Sequence, residues 1–241
     1  MFTKEYEIKF YEVDFQNKLK EAVLLNFLQD IAAIHAEELG FGYSYISKKN
    51  LGWFLLKYHI KFCNWPKDTN KIKIKTWPRG INKLSCIRDF EVFDANDNKI
   101  AVVSSTWVLI DLASRKIVNA ANILENFKTS EKIALETNFP KIPDLKTVNI
   151  QKIFEVRYDD IDINKHTNNA NYLTWALDTL WFEYRAKNQI EELEIQYKKE
   201  IKYGTEILSC VEFSEQNKTT LHSLKSTKND EEYCKIKVKW K

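Results

Sequence analysis

The chain reads YDDIDINKHTNNANY at residues 158–172, and this stretch gathers ionisable and amide side chains at short, regular spacing. Asp162, Asn164 and His166 are two positions apart, so in an extended segment their side chains would point to one side. A carboxylate, an amide and an imidazole on one side of a segment can hold and activate a water molecule. We therefore expect the chemistry of the protein to lie here.

The residues after His166 predict a helix whose start lies beside these groups. Asn168 and Asn169 are residue types that favour a helix start, and apolar residues follow over 172–184 at helical spacing. A helix N-terminus offers free backbone N–H groups, which favour negative charge such as that developing on a carbonyl under attack. The pattern predicts attack of water on an acyl group, with Asn168 and Asn169 as candidate substrate-binding residues.

The sequence does not predict a metal site. Asp160, Asp162 and Asn164 match the first three ligand positions of a calcium loop, but Lys165 stands where the sharp turn needs Gly and Asn171 where a bidentate Glu is needed. The four His and four Cys residues form no CxxC or HExxH pair. We expect the protein to use neither a metal nor a cofactor.

A second copy of the loop-and-helix pattern occurs near the N-terminus. Residues 11–19 read YEVDFQNKL and precede an apolar helical pattern over about 21–39. With one inserted residue, the copies align as Asp14 with Asp162, Asn17 with Asn164, and Leu19 with His166. Because only the second copy has the histidine, we expect one active site per chain.

Each predicted helix is followed by runs with strand character. They cover 53–62, 71–77, 85–93 and 99–111 in the first half, and 194–201, 206–213, 220–226 and 234–240 in the second. The last run alternates, which predicts that its apolar residues face the core and that Lys235, Lys237 and Lys239 lie on the opposite face. A helix followed by antiparallel strands, occurring twice, predicts an α+β fold with an internal repeat.

Residues 160–169 resemble the active-site motif of the acyl-ACP thioesterases, plant and bacterial enzymes that end fatty-acid synthesis by releasing the chain from acyl carrier protein (ACP). Further matching blocks, in chain order, are 24–30, 35–42, 76–80, 88–90 and 105–111. The resemblance implies a tandem hotdog fold, in which each half is a long helix wrapped by an antiparallel sheet. It implies an acyl-chain-binding hotdog at 1–125, a linker at 126–150 and a catalytic hotdog at 151–241.

The resemblance also implies a catalytic set of Asp162, Asn164, His166 and Glu200. Glu200 belongs to it because residues 195–201 match a family strand that ends in a carboxylate. Many plant members have Cys at the next position, but this chain has Ile there, so we expect direct hydrolysis by water. Glu200 would be the general base, and His166 would hold the water or share the proton. Asn164 would hold water or the carbonyl oxygen, and Asp162 would fix the loop or orient a partner.

In the same family the acyl chain lies in the N-terminal half. The residues expected to line its pocket are Leu28, Trp53, Phe54 and Leu56, with packing in the core as the alternative for each. One methylene contributes only about 0.8 kcal/mol, so small differences in tunnel depth decide which chain length is preferred. The sequence does not give that depth.

Charge and hydropathy limit the partners. A net charge of +3 is too small to predict nucleic-acid binding. ACP is acidic, so a local basic patch matters more than the total charge, and Lys198, Lys199 and Lys202 are candidate docking residues. Glu200 could instead join Lys198 and Lys202 in a surface ion-pair ladder.

No run of about 18 uncharged apolar residues predicts membrane insertion. Residues 1–7 have neither signal nor transit character, which favours a cytoplasmic bacterial protein. A monomer and a homodimer both remain open.

Two other functions remain open beside ACP-dependent hydrolysis. One is an acyl-CoA thioesterase, and the other is a hotdog module that binds acyl thioesters without cleaving them. Retention of the Asp, Asn, His and Glu set favours an enzyme, because binding alone has no need of these groups. A hotdog dehydratase is compatible with the fold, although its usual active-site pattern is not visible.

Overall fold

The computed structural model describes residues 1–65, 70–82, 84–124, 127–214 and 218–241. They form two compact units, Met1–Asn138 and Phe139–Lys241. The boundary lies within the segment that the sequence predicts as a linker.

Unit 1 packs a long helix against an antiparallel sheet. Its helices are α1 (Glu21–Glu38) and α2 (Tyr43–Ile46), with short 3₁₀ helices at Phe10–Glu12, Ser47–Lys49 and Ala120–Asn122. Its strands are β1 (Phe2–Glu7), β2 (Leu51–Phe62), β3 (Lys71–Asn82), β4 (Ser85–Phe93), β5 (Lys99–Asp111) and β6 (Lys116–Val118). The strands lie in the order β1-β3-β4-β5-β2, and β6 pairs with β5.

Unit 2 repeats this arrangement. Its helices are α3 (Asn169–Asp178) and α4 (Phe182–Lys187), with a 3₁₀ helix at Tyr158–Asp160. Its strands are β7 (Ile150–Glu155), β8 (Ile190–Tyr197), β9 (Glu206–Phe213), β10 (Thr219–Ser226) and β11 (Glu232–Trp240). They lie in the order β7-β9-β10-β11-β8, which is the order of unit 1 with each strand replaced by its counterpart. The predicted internal repeat is thus present in the fold.

The helices are fixed by their apolar faces and their ends. The buried residues of α1 recur at spacings of three and four: Leu24, Leu25, Leu28, Ile31, Ala32, His35 and Ala36. The helix stops where Gly40 adopts φ +79° and donates its N–H to Glu37 O. The sequence predicts one helix over 172–184, but α3 ends at Asp178. The hydroxyl of the next residue, Thr179, donates to Trp175 O at 2.8 Å.

Lys235 lies on the face opposite Cys234 and Ile236, as the alternation predicts, but residues of the predicted linker cover that face of the sheet as well. Lys235 is 1% exposed, and its ammonium group pairs with Asp144 and lies 3.5 Å from Ile142 O. A buried ammonium is stable only with such partners.

His222 gives unit 2 an acid-sensitive point. Its ring is completely buried, and Nε2 lies 2.8 Å from the Thr220 hydroxyl, which also accepts the Trp240 indole N–H at 2.9 Å. Burial disfavours the charged form of the ring, so His222 is neutral at pH 7. Burial lowers the pKa of His222 from 6.5 to about 3.

A histidine whose pKa is lower in the folded chain than in the unfolded chain contributes fully to stability above its unfolded-state pKa. That contribution to stability is lost as the pH falls. Below pH 6.5 the unfolded chain takes up a proton that folded His222 refuses down to about pH 3. We expect His222→Gln to reduce the loss of unfolding free energy between pH 7 and pH 5 by about 2 kcal/mol. Urea unfolding of both proteins at the two pH values measures the difference, and equal losses would contradict the prediction.

Candidate active site

Residues 161–168 form a tight loop between the 3₁₀ helix and α3 and are not extended. Ile161 and Thr167 form an isolated β-bridge, and Asp162 N–H donates to His166 O at 2.8 Å. Lys165 closes the loop with φ +64°. The alternation expected for Asp162, Asn164 and His166 in an extended segment therefore does not apply, and the loop conformation decides where their side chains point.

The carboxylate of Asp162 holds this loop in shape. Its Oδ1 accepts the backbone N–H of Asn164 at 2.8 Å and that of His166 at 3.3 Å. This is the side-chain-to-backbone pattern typical of an aspartate that fixes a turn. Of the two roles expected for Asp162, the contacts favour fixing the loop.

A substitution pair tests this role. Asn at position 162 keeps the oxygen that accepts both N–H groups, whereas Ala removes it. We expect Asp162→Ala to lower kcat by about 10² because a misplaced catalytic group costs about that factor, and Asp162→Asn to retain most of the rate. Loss of all activity in Asp162→Asn would assign the carboxylate a direct part in the reaction.

Asp160 and Asn168 connect the loop to α3. The buried Asp160 carboxylate accepts from Arg157, through the backbone N–H at 2.8 Å and Nη2 at 3.0 Å, and its carbonyl accepts the Asn168 N–H at 2.9 Å. The Asn168 side chain caps the helix by accepting the Ala170 N–H at 2.9 Å. Asn169 is the first residue of α3, and its carbonyl accepts the Tyr197 hydroxyl at 3.1 Å. The substrate-binding role of both asparagines stays a prediction.

Glu200 reaches the loop because a turn after β8 is tied to it. The strand ends at Tyr197, earlier than the predicted 201, so Glu200 lies in the turn. Thr167 donates both its N–H and its hydroxyl to Ile201 O at 3.0 Å, while the buried Tyr172 hydroxyl accepts the Ile201 N–H at 3.1 Å. Burial raises the pKa of Tyr172, so its hydroxyl stays neutral and able to serve as this bridge.

These ties place the two strongest catalytic candidates together. Glu200 Oε2 lies 3.2 Å from His166 Nε2, and the two side chains are 22% and 23% exposed. Lys198 and Lys199 pair instead with Glu232 and Glu231 of the neighbouring chain segment. The ion-pair ladder considered for Glu200 therefore does not include Lys198, and both lysines have carboxylate partners.

Exposed apolar and basic side chains lie within nine residues of His166 or Glu200 in the sequence. We call this set of side chains the rim. Its residues are all exposed, and they are Arg157, Tyr158, Ile163, Lys165, Lys202 and Tyr203. Three large apolar or aromatic side chains of the rim are exposed, Tyr158 to 83%, Ile163 to 94% and Tyr203 to 68%. The backbone bond from Gly204 N–H to Val156 O at 3.1 Å holds the two segments of the rim side by side.

Unit 1 contains the same loop with different side chains, and the structural alignment corrects the sequence alignment. Asp14 Oδ1 accepts the N–H groups of Gln16 and Lys18 at 2.8 and 2.9 Å, as Asp162 does for Asn164 and His166. Asn17 has φ +59° and corresponds to Lys165, not to Asn164. The copies therefore align without the inserted residue, and Lys18 takes the place of His166.

The residue of unit 1 that corresponds to Glu200 is not a carboxylate. Cys63 and Asn64 both donate their N–H groups to Ile100 O, as Lys198 and Lys199 donate to Tyr233 O. By this pattern Trp65 corresponds to Glu200, and its indole N–H donates to Leu19 O at 3.0 Å. A lysine and an indole replace the imidazole and the carboxylate, so this loop has no acid–base pair.

The residues expected to line an acyl pocket lie in different environments. Leu28 is fully buried on α1, and Trp53 packs on an aromatic-rich cluster and donates its indole N–H to Phe41 O at 2.9 Å. Phe54 is the next residue of β2 and so lies on its other face. Leu56 lies at the irregularity between Leu55 and Lys57. Their binding role stays a prediction.

Sequence reasoning missed a cluster of polar side chains inside unit 1, centred on Arg88. Its signal was available, because Arg88 has the same parity in β4 as the apolar residues Cys86, Phe90 and Val92. A charged residue at an inward position of a strand indicates a buried polar site.

Within the described ranges, no group of three or more His, Cys, Asp or Glu could hold a metal ion. In that same part of the chain, no helix is long and apolar enough to cross a membrane.

Comparison with known proteins identifies the family. The family sequence model described as "Acyl-ACP thioesterase N-terminal domain" matches residues 1–127, and that of the C-terminal domain matches residues 144–241. The chain belongs to the acyl-ACP thioesterase family. The resemblance to this family that the sequence motifs indicated is therefore confirmed.

Solved structures confirm the tandem hotdog. An acyl-ACP thioesterase from Bacteroides thetaiotaomicron is 26% identical with a TM-score of 0.90, covering 100% of this chain and 97% of that one. The 12:0-ACP thioesterase from Umbellularia californica is 19% identical, with the same TM-score and coverage of 100% and 96%, and shows the fold.

Curated relatives are longer than this chain. A chloroplastic acyl-[acyl-carrier-protein] hydrolase of Cuphea viscosissima is 25% identical over 214 residues, covering 83% of this chain and 52% of that protein. A chloroplastic oleoyl-acyl carrier protein thioesterase of Coriandrum sativum is 22% identical, covering 84% and 60%. The chain thus spans about half the length of the curated relatives it matches.

Proposed function

We propose that the chain hydrolyses the thioester of a fatty acyl group carried by ACP, releasing the fatty acid and the carrier thiol. The observation that carries this proposal is the 3.2 Å contact between Glu200 Oε2 and His166 Nε2 beside the start of α3. Membership of the acyl-ACP thioesterase family supports the same reaction, as do relatives named as acyl-ACP hydrolases.

The pair provides a base for water. Glu200 accepts a proton from the attacking water, and His166 holds that water or passes the proton on. The water oxygen bonds to the acyl carbon, the carbon–sulfur bond breaks, and the leaving sulfur takes the proton. The exposed Asn164 amide is the candidate donor to the oxyanion, because the Ala170 and Asn171 N–H groups at the start of α3 are already bonded to Asn168.

The rim is the proposed docking surface for ACP. Lys165 and Lys202 offer positive charge to an acidic partner, and Ile163 offers an exposed apolar contact, whereas Arg157 contributes less because it is paired with Asp160. Lys198 and Lys199 contribute less, because both are paired with glutamates. We infer that the acyl chain enters unit 1, as the family resemblance implies. A bacterial cytoplasmic location and a monomeric or homodimeric state stay predictions.

Fatty-acid release from acyl-ACP and acyl-CoA of matched chain length tests the partner. We expect Lys202→Glu to lower kcat/KM for acyl-ACP about tenfold, through slower association, and to leave acyl-CoA turnover within twofold. Lys187→Glu is the matched control, since Lys187 precedes β8 while Glu200 follows its far end, about 26 Å away. Wild-type preference for acyl-CoA, insensitive to Lys202→Glu, would favour the CoA thioesterase.

A further inference from the structure

A belt of polar side chains crosses the inner face of the unit 1 sheet. The strand register places Arg88 of β4 opposite Ser105 of β5, and Ser105 opposite Tyr58 of β2. Directly opposed residues point to the same face, which is the face covered by α1, because Arg88 Nη1 lies 3.0 Å from His35 Nδ1. The polar belt consists of His35, Tyr58, Thr76, Arg88 and Ser105, all of them buried.

Arg88 is a cation without a carboxylate in this interior. Its hydrogen bonds to described residues are those from Nη1 to His35 Nδ1 and to the Thr76 hydroxyl, at 3.0 and 3.2 Å. A guanidinium cannot accept a hydrogen bond, so Nδ1 accepts and His35 is neutral. Burial and the nearby Arg88 charge lower the pKa of His35 to about 4, while burial lowers the pKa of Arg88 to about 10, which leaves Arg88 charged at neutral pH.

The carboxylates of the same strand lie on its other face. Asp89 accepts from Ser104 at 2.7 Å and pairs with Arg79 at 3.4 Å, and Glu91 pairs with Lys99 and Lys132 at 2.7 and 2.6 Å. Every carboxylate near Arg88 along β4 thus has its own cation. The strand satisfies its outer charges and leaves the inner one uncompensated.

The belt contains a buried hydroxyl without a partner beside this charge. The Tyr58 hydroxyl is fully buried and has no hydrogen-bond partner among the described residues. A buried donor without an acceptor and a buried charge without a counter-charge both reduce stability, and such a cost persists in natural proteins where the groups serve a function.

The belt divides the inner face into two apolar regions. On one side lies the row of Cys86 and Trp107, part of the cluster that includes Trp53; on the other lies the row of Phe90, Val103 and Ile60. A fatty acyl chain running along this face from either region therefore meets Arg88 and Tyr58.

We propose that the polar belt is a specificity site for the acyl chain. An unsubstituted methylene chain ends before the belt, and a chain that carries a hydroxyl or keto oxygen at the depth of the belt passes, because Arg88 and Tyr58 donate to that oxygen. The inference rests on the proposed function and on the acyl chain entering unit 1.

The test compares wild type, Arg88→Met and Tyr58→Phe on two acyl-ACP panels. One panel varies the length of an unsubstituted chain, and the other moves a single hydroxyl along a chain longer than the wild-type limit. In wild type we expect one hydroxyl position to raise kcat/KM at least about tenfold over the unsubstituted chain, as expected for a hydrogen bond to a charged group.

Arg88→Met keeps an unbranched, flexible side chain, shorter than that of Arg, and removes the charge. It should raise kcat/KM on the over-length unsubstituted chains about tenfold, abolish the hydroxyl preference and raise the melting temperature, since a buried uncompensated charge is removed. Tyr58→Phe should weaken the hydroxyl preference a few-fold and keep the unsubstituted profile.

Other outcomes distinguish failure of the specificity site from failure of the proposed function. If Arg88 only supports His35 and Thr76, Arg88→Met will melt earlier and keep the wild-type length profile, which overturns the inference. Should Arg88→Met fail to fold, an unchanged hydroxyl preference in Tyr58→Phe overturns it. Wild type that cleaves unsubstituted chains with no preferred hydroxyl position also overturns it and leaves the proposed function standing. No cleavage of any acyl-ACP defeats the proposed function itself.

Discussion

Replacing Glu200 with Gln is expected to lower kcat on acyl-ACP by about a thousandfold, the range that a positioned general base contributes. Gln has the same shape and can still hydrogen-bond to His166 Nε2, which lies 3.2 Å from the carboxylate in the wild type. It cannot take a proton from water. Because the change removes the base and not the binding surface, KM should stay within about threefold.

Single-turnover release of fatty acid from acyl-ACP measures this loss apart from product release. Glu231→Gln is the matched control, since Glu231 pairs with Lys199 of the same turn and lies outside the His166 contact. We expect it to retain at least half of the wild-type rate. A Glu200→Gln enzyme with more than a tenth of the wild-type kcat would show that another group is the base.

The fold was largely predictable, because the sequence of each half contains local patterns that indicate its helix and strands. The apolar spacing of α1 and the strand alternation predicted a helix and an antiparallel sheet, and the likeness of the two loops predicted the repeat. Where sequence failed, the reason was conformation. Asn17 was aligned with Asn164 because both are asparagines, whereas the backbone matches Asn17 with Lys165, both with positive φ.

Tertiary contacts explain the other differences. Lys235 has the parity of a solvent-facing residue, and only the covering segment that carries Asp144 buries it. The Glu200–His166 contact joins residues 34 positions apart, so spacing could not show it. The family resemblance suggested the pair, and the bonds from Thr167 and Tyr172 to Ile201 explain how it forms.

The two loops separate the structural part of the site from the chemical part. Asp14 and Asp162 hold the same turn by the same pair of backbone bonds. Only the second turn presents an imidazole to a carboxylate, and the first presents Lys18 in that place. A conserved turn with exchanged side chains supplies an internal control for any experiment on His166.

We expect His166→Ala to lower kcat by about 10² or more. The alanine removes the group that contacts Glu200 and would hold the water or share its proton. Lys18→Ala, the same truncation at the matching position of unit 1, should leave the rate within twofold, since that loop has no acid–base pair.

The double variant His166→Ala with Glu200→Gln decides whether the two residues act as one unit. Groups that act together lose most of their effect with the first substitution, so the double variant should be about as slow as Glu200→Gln alone. If the two losses multiply instead, His166 and Glu200 contribute to separate steps. The shared-proton mechanism proposed for the 3.2 Å contact would then have to be abandoned.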